Sequence, residues 1–384
     1  MSDASPADHD ELAAGEMTPE QLAEAKEYGR LELYAGLADK ALDLVILALA
    51  ALVFAVPLDD WLSGGVGSAT ARLLLIFLIV TGVHLVISFP LSFYAGHVLE
   101  HRFGLSRLTF GGWLARYAKR TGLALAFGVL MTAGLYWVIW LTGPWWWLAA
   151  AVVFFLVSIV LGQLMPVVIL PLFYKIEKID NPELSERMTR LSAGTGLSIE
   201  GVYRMGLSAE TSKANAMLAG LGRTRRVLMG DTLLDGFSGD EIEVIFAHEI
   251  GHHVHRHIRK MIVTGVLFSV AGFWVCNRVM LAWADSQYGP TDPHQMPVST
   301  LPLLMLSMTL FAMLLEPLQN MISRHYERQC DRYALEKTGL RAAYISAFQK
   351  LARLNKDDPA PHPLEVFLFH SHPPIGERLA MAEK

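Results

Sequence analysis

Charge is what this 384-residue sequence is short of: 18% of its residues are Asp, Glu, Lys or Arg, against 53% hydrophobic. Ordinary soluble domains carry about 25% charged residues, so the chain reads as a membrane protein. It has no basic excess either, with 32 Lys and Arg against 37 Asp and Glu and a net charge of -5, which argues against a nucleic-acid partner. Cysteine is scarce. Cys276 and Cys330 lie outside any CxxC pair, which excludes a disulfide framework and fits small buried residues in a reducing environment. Residues 1–40 lack a basic segment followed by an apolar run, so a cleaved secretory signal is not expected, and the region reads as a polar tail entering a helix. No internal repeat supports a transporter built from duplicated halves.

What the chain has is long apolar runs, at roughly 41–58, 72–93, 122–142, 145–170, 261–283 and 301–321. A bilayer core takes about 20 apolar residues per helix, and most of these runs suffice; the first is short and carries Asp43. Four spans over 41–170 and two over 261–322 are predicted, with Trp145, Trp146 and Trp147 as an interfacial belt. Segment 94–121 holds Arg102, Arg107, Arg116, Lys119 and Arg120, and 171–260 is also basic, whereas 58–71 and 284–300 have no Lys or Arg. The positive-inside rule then puts both termini and the 171–260 block in the cytoplasm. Arg278 and Glu316 fall inside spans and should face a cavity or snorkel.

The 171–260 block, completed by 323–384, is the candidate catalytic domain. "GVYRM" and "RRVLMGDTLL" read as short strands, and "ANAMLAGLGRT" between them as an edge or turn. Ser238 with Glu241 three residues on forms a capping box, opening a helix with Ile242, Ile245, Phe246 and Ile250 at helical spacing. That helix contains "HEIGH", an H-E-x-x-H in which His248 and His252 share a face and can grip one Zn²⁺, with Glu249 beside it to take a proton from water. His253, His255 and His257 fall on other faces and read as interfacial, solvated histidines. The third ligand is open. No histidine follows at the short spacing of a metzincin; Glu327 in "NMISRHYERQCDRYALEKTG" is one candidate and Glu336 another. Asp331, four residues after Glu327, could accept the free ring N–H of a bound histidine.

These residues carry a resemblance. From about residue 20 onward, "LSFYAGHVLEHRFGLSRLT", "PVVILPLFYKIEKI", "SKANAMLAGLGRTRRVLMGDTLL", H-E-x-x-H, "SRHYERQCD" and "SHPPIGERL" follow in the order seen in the type I CAAX prenyl endopeptidases, integral membrane zinc metalloproteases of gluzincin type. The resemblance implies an α-helical multi-pass membrane protein with a small α/β metalloprotease domain and an intramembrane chamber. It implies His248, His252 and Glu327 as zinc ligands, Glu249 as base and Asp331 behind a ligand. It further implies a substrate-binding edge strand at Asn215 and Ala216, His372 near the developing oxyanion, and Arg378 bridging the C-terminal helix to the site. Without the family, Asn215 and Ala216 read as a turn, His372 as structural and Arg378 as a surface residue. Eukaryotic members have seven spans against the six read here, and "ERQCD" places Arg328 and Cys330 where an aromatic residue and alanine are usual. Substrates would be peptides or proteins that are lipid-modified or embedded among membrane lipids. The cytoplasmic-side site would lie in the plasma membrane of a bacterium or the endoplasmic reticulum of a eukaryote. Clearance of damaged membrane proteins is the alternative activity, and a silent scaffold or transporter the alternative class.

Overall fold

A computed structural model describes residues 17–196, 200–220 and 226–383; the expected tail over 1–16 and residues 221–224 of the expected turn lie outside them. Thr18 opens helix α1 (Pro19–Leu49), its hydroxyl taking the Gln21 N–H while the Gln21 side chain returns the bond. Such a box is worth about 0.5–2 kcal/mol, enough to set where the helix starts. With a π turn at Ala50–Phe54 and a helix at Ala55–Ser63, the stretch is 45 residues long, so the marginal first span is the C-terminal part of a longer helix. Helices α2 (Ala69–Phe93), α3 (Phe110–Thr142), α4 (Trp146–Leu164), α7 (His257–Tyr288) and α8 (Leu301–Thr338) supply the other apolar lengths.

Five continuous helical stretches are long and apolar enough to cross a bilayer, and one of them, Phe110–Leu172, has 63 residues. It folds back at Gly143, whose φ of 52° suits glycine and where a Cβ would meet His294 Nε2 at 2.2 Å. α3 and α4 therefore pack side by side as two passes, and the loops fall at two ends. At one end Arg72 pairs with Asp59, the Trp140 indole donates to the Met296 carbonyl (3.0 Å), and Tyr136 meets Thr300 (2.8 Å). At the other, Ser106 bridges to Thr211, Arg116 donates to the Phe173 carbonyl, and the Tyr28 hydroxyl donates to Glu100 (2.5 Å).

The charges expected to be costly in lipid are handled separately. Glu316 pairs with Lys40 of α1 (2.6 Å), and both line a cavity of about 370 Å³ with Asp43 and Gln319. Arg278 is exposed on α7. Cys276 and Cys330 are free thiols, both buried.

Between α4 and α7 lies a four-stranded sheet of order β1-β2-β4-β3, from β1 (Ile176–Lys178), β2 (Gly201–Met205), β3 (Ala216–Ala219) and β4 (Arg226–Gly230). β2 and β4 are parallel and the other pairs antiparallel. The expected "RRVLMGDTLL" strand is shorter than read. It stops at Gly230, and Asp231–Gly236 is helical because the Asp231 carboxylate takes the N–H groups of Leu207 (2.9 Å), Ser208 (2.8 Å) and Thr232 (2.9 Å), fixing a turn there. Of the two readings of "ANAMLAGLGRT", edge or turn, Ala216–Ala219 is the edge strand β3. Helices α5 (Pro182–Ser192), α6 (Gly239–Val254) and α9 (Arg341–Asn355) cover the sheet over a core that includes Val227, Met229, Phe246, Ile250 and Phe348. Short helices α10 (Pro363–Phe369) and α11 (Ile375–Glu383) end the chain.

Candidate metal centre and active site

α6 begins at Ser238, whose hydroxyl accepts the Glu241 N–H while the Glu241 carboxylate takes the Ser238 N–H (2.7 Å), as the sequence predicts. Its H-E-x-x-H turn packs on α8 at Gly251, where a Cβ would stand 2.9 Å from the Cys330 Cα. Only glycine lets the two backbones come this close. α6 does not continue into the membrane: Arg256, at φ 57°, turns the chain before α7 starts.

One stripe of α8 carries the rest. Asn320, Arg324, Glu327 and Asp331 recur at helical spacing and all are buried. Glu327 directs Oε2 to within 3.1 Å of His248 Nε2 and Oε1 to within 3.3 Å of His252 Nε2. Asp331 Oδ1 lies 2.9 Å from His248 Nδ1, so that nitrogen carries the hydrogen and Nε2 presents a lone pair. Glu327 Oε2 is buried with no hydrogen-bond partner among the described residues. A carboxylate that turns one oxygen to each of two imidazole nitrogens, one of those oxygens orphaned, is a set of converging lone pairs that a divalent cation satisfies. Burial disfavours charge on His248, yet the carboxylates of Asp331 and Glu327 beside its ring outweigh this and raise its pKa to about 9. The pocket therefore attracts positive charge.

Cys330 also lies within 4.8 Å of ligand atoms of His248 and His252. Its sulfur sits against Gly251 and 3.6 Å from His257 Nδ1, the atom that contacts His252 Nδ1. That places it on the side of His252 away from Glu327, so the carboxylate is the better third donor. Glu336 is exposed on α8 and drops out.

Glu249 Oε2 accepts the backbone N–H of Leu218 in β3 (3.2 Å). The Asn215 carbonyl is taken by the Gly230 N–H (2.8 Å), so alternation along the antiparallel pair turns the backbone groups of Ala216 and Leu218 to the open edge. Ala216 thus lies on the open edge, whereas the carbonyl of Asn215 is engaged by β4, although the residue lines the cavity; Leu218 was missed, because pairing partners are not written in a single strand. His372 puts Nε2 3.7 Å from Glu327 Oε1, and its Nδ1 meets the Ser371 hydroxyl at 3.0 Å. Arg378 is buried, forks onto Asp331 (2.5 and 3.0 Å) and lies 3.8 Å from the Phe348 ring centre. Arg324 and Asn320 were also missed. Arg324 donates to the Val366 and His370 carbonyls (2.7 and 2.5 Å) and Asn320 to that of Leu368 (2.7 Å), holding the segment that leads to His372. The signal was their helical spacing from Glu327. His257 was misread: it is fully buried, because the turn at Arg256 folds it under α6.

These groups open onto a cavity of about 630 Å³, lined on one side by Tyr28, Glu32 and Leu33 of α1 and on the other by His248, Glu249 and Glu327. Helices enclosing a chamber are thus present, reaching from α1 to His248, Glu249 and Glu327.

The comparisons agree with this construction. Residues 6–175 match the CAAX prenyl protease N-terminal family, described as five membrane helices, where this chain has α1 to α4; residues 178–384 match peptidase family M48. An uncharacterized metalloprotease, YhfN, of Bacillus subtilis is 27% identical, covering 96% of this chain and 87% of that one. CAAX prenyl protease 1 of Saccharomyces cerevisiae is 29% identical over 81% of this chain and 72% of that one. The crystal structure of S. mikatae Ste24p superposes with a TM-score of 0.80 at 24% identity, covering 96% of this chain and 90% of that one. With its membrane helices and H-E-x-x-H helix, this chain belongs to peptidase family M48.

Proposed function

We propose that the chain is a zinc endopeptidase of CAAX prenyl protease type, cutting near the lipid-modified C-terminus of its substrates on the cytoplasmic face of the membrane. The observation that carries the reading is the Glu327 carboxylate, one oxygen toward His248 and left without a hydrogen-bond partner among the described residues, the other toward His252, beside Glu249. His248, His252 and Glu327 would hold the ion. Zinc bound there supplies the Lewis acid that polarises the scissile carbonyl and acidifies water. The N–H and carbonyl of Ala216 and the carbonyl of Leu218, whose N–H is taken by Glu249, offer backbone groups that align an extended peptide by strand addition. Glu249 takes the proton from the attacking water and passes it to the leaving amine, with no covalent intermediate. A Ser371 hydroxyl donating to His372 Nδ1 leaves Nε2 carrying the hydrogen that the developing oxyanion needs. The basic residues of 94–121 support the cytoplasmic side, and the names of the relatives together with the cavity beside α1 support lipid-modified substrates.

Glu327→Ala and Glu249→Gln separate ligand from base. Glu327→Ala should lose both zinc and activity. Glu249→Gln should keep about one zinc per chain while turnover on a farnesylated CAAX peptide falls about 10²–10⁴-fold. Normal hydrolysis by Glu249→Gln would sink the proposal, and full zinc in Glu327→Ala would move the third ligand elsewhere.

A further inference from the structure

His248 is backed by a carboxylate, Asp331. Among the described residues no carboxylate stands behind His252. Its Nδ1 lies 3.2 Å from Nδ1 of His257, and the His257 Nε2 lies 2.8 Å from Gln329 Oε1. The Gln329 Nε2 in turn lies 3.2 Å from His325 Nε2. Donor and acceptor roles follow from the amide. Gln329 Oε1 only accepts, so His257 Nε2 carries the hydrogen; neutral His257 then has a lone pair on Nδ1, which accepts from His252 Nδ1–H. That assigns the hydrogen of His252 to Nδ1 and leaves its Nε2 bare toward Glu327.

The geometry is specific. On a continuous helix a residue five positions on lies about 140° round the axis, facing away. The left-handed Arg256 breaks α6 from α7 and returns His257 to the back of His252. Tyr326 clamps it, with ring centroids 4.2 Å apart and planes 12° from parallel, and His257 is fully buried.

We infer that His257 is a positioning residue for the metal centre: through Nδ1 it fixes the tautomer and rotation of His252, and Gln329 and Tyr326 fix His257. The two imidazoles of the centre thus have unlike supports, an anion behind one and a neutral ring behind the other. This rests on the metal assignment proposed above.

The test is metal affinity of purified, metal-stripped protein, read by zinc competition with a chromophoric chelator and by the visible spectrum of the cobalt-loaded form. His257→Phe keeps a ring against Tyr326 but cannot accept from His252. It should weaken zinc binding about 10–100-fold and alter the cobalt bands. His257→Asn restores an acceptor near the Nδ1 position and should stay within about threefold of wild type. Gln329→Leu, which leaves the His257 ring in place but unanchored, should shift affinity in the same direction as His257→Phe and serves if that variant does not fold. Wild-type affinity and spectrum in His257→Phe, or in Gln329→Leu where it stands in, would overturn the inference. Equal losses in His257→Phe and His257→Asn would also overturn it, since packing alone would then explain them. Wild-type protein that takes up no metal would sink the metal assignment itself.

Discussion

Arg378→Met is the perturbation that most directly tests how the C-terminal helix belongs to the active site. Arg378 stands in α11, 47 residues from Asp331 in sequence, yet its guanidinium makes two bonds to that carboxylate and stacks over Phe348. Both charged groups are buried, Asp331 at 0% and Arg378 at 7% exposure. Methionine fills much of the arginine's volume without its charge, so the Asp331 carboxylate would keep only His248 as a partner. Removing one member of a buried pair costs about 3–5 kcal/mol, most of it the unpaired charge left behind. At about 1.4 kcal/mol per tenfold, opening of α11 should become easier by roughly 10²-fold to 10³-fold or more. Amide hydrogen exchange of α11 in detergent-purified protein reads this locally, avoiding the assumption that a multi-pass chain unfolds in one step. Arg378→Lys should recover only part, because an ammonium cannot make the forked contact. Adding Asp331→Asn to Arg378→Met should be less damaging than the two single effects summed, since the stranded charge is gone. If exchange in α11 changes by less than about threefold in Arg378→Met, the pair does not anchor the helix and the reasoning fails.

Further outcomes follow from other contacts. Ala216→Pro removes the backbone donor at the open edge of β3 and should raise KM severalfold or abolish cleavage while metal content holds; unchanged kinetics would remove β3 from substrate binding. Asp231 is buried, which alone would raise its pKa, but the Ser208 hydroxyl and the backbone N–H groups of Ser208, Leu207 and Thr232 hold it below the usual carboxylate value. Its contribution is therefore complete above about pH 4 and lost as pH falls through the lowered value. Asp231→Asn should cost about 2 kcal/mol by thermal shift, constant from pH 7 to pH 5 and shrinking only below about pH 4; a gap that closes between pH 7 and 5 would contradict this. A reporter fused at residue 290 should be extracytoplasmic and one at 225 cytoplasmic, and finding both on one side would overturn the six-pass arrangement.

The H-E-x-x-H helix, its capping box and the apolar lengths were legible in the sequence because each depends on local spacing along one element. Helical periodicity places His248 with His252, and Glu327 with Asp331, whatever the rest of the chain does. Hydropathy likewise marks apolar lengths without knowing how they pack, although α1 proved longer than its apolar part. Other facts depended on contacts between distant segments. Glu327 prevails over Glu336 because α8 meets α6 at Gly251, and that crossing turns one glutamate inward and leaves the other exposed. The edge character of β3 depends on its pairing with β4 alone, the role of Arg378 on a partner 47 residues away, and that of Arg324 on carbonyls it could not be matched to in advance. His257, read as solvated from its place after the motif, is buried because a single left-handed residue reverses its direction. Spacing along a helix sets which side chains share a face, but only the crossing of helices and the path of the turns decides what that face meets.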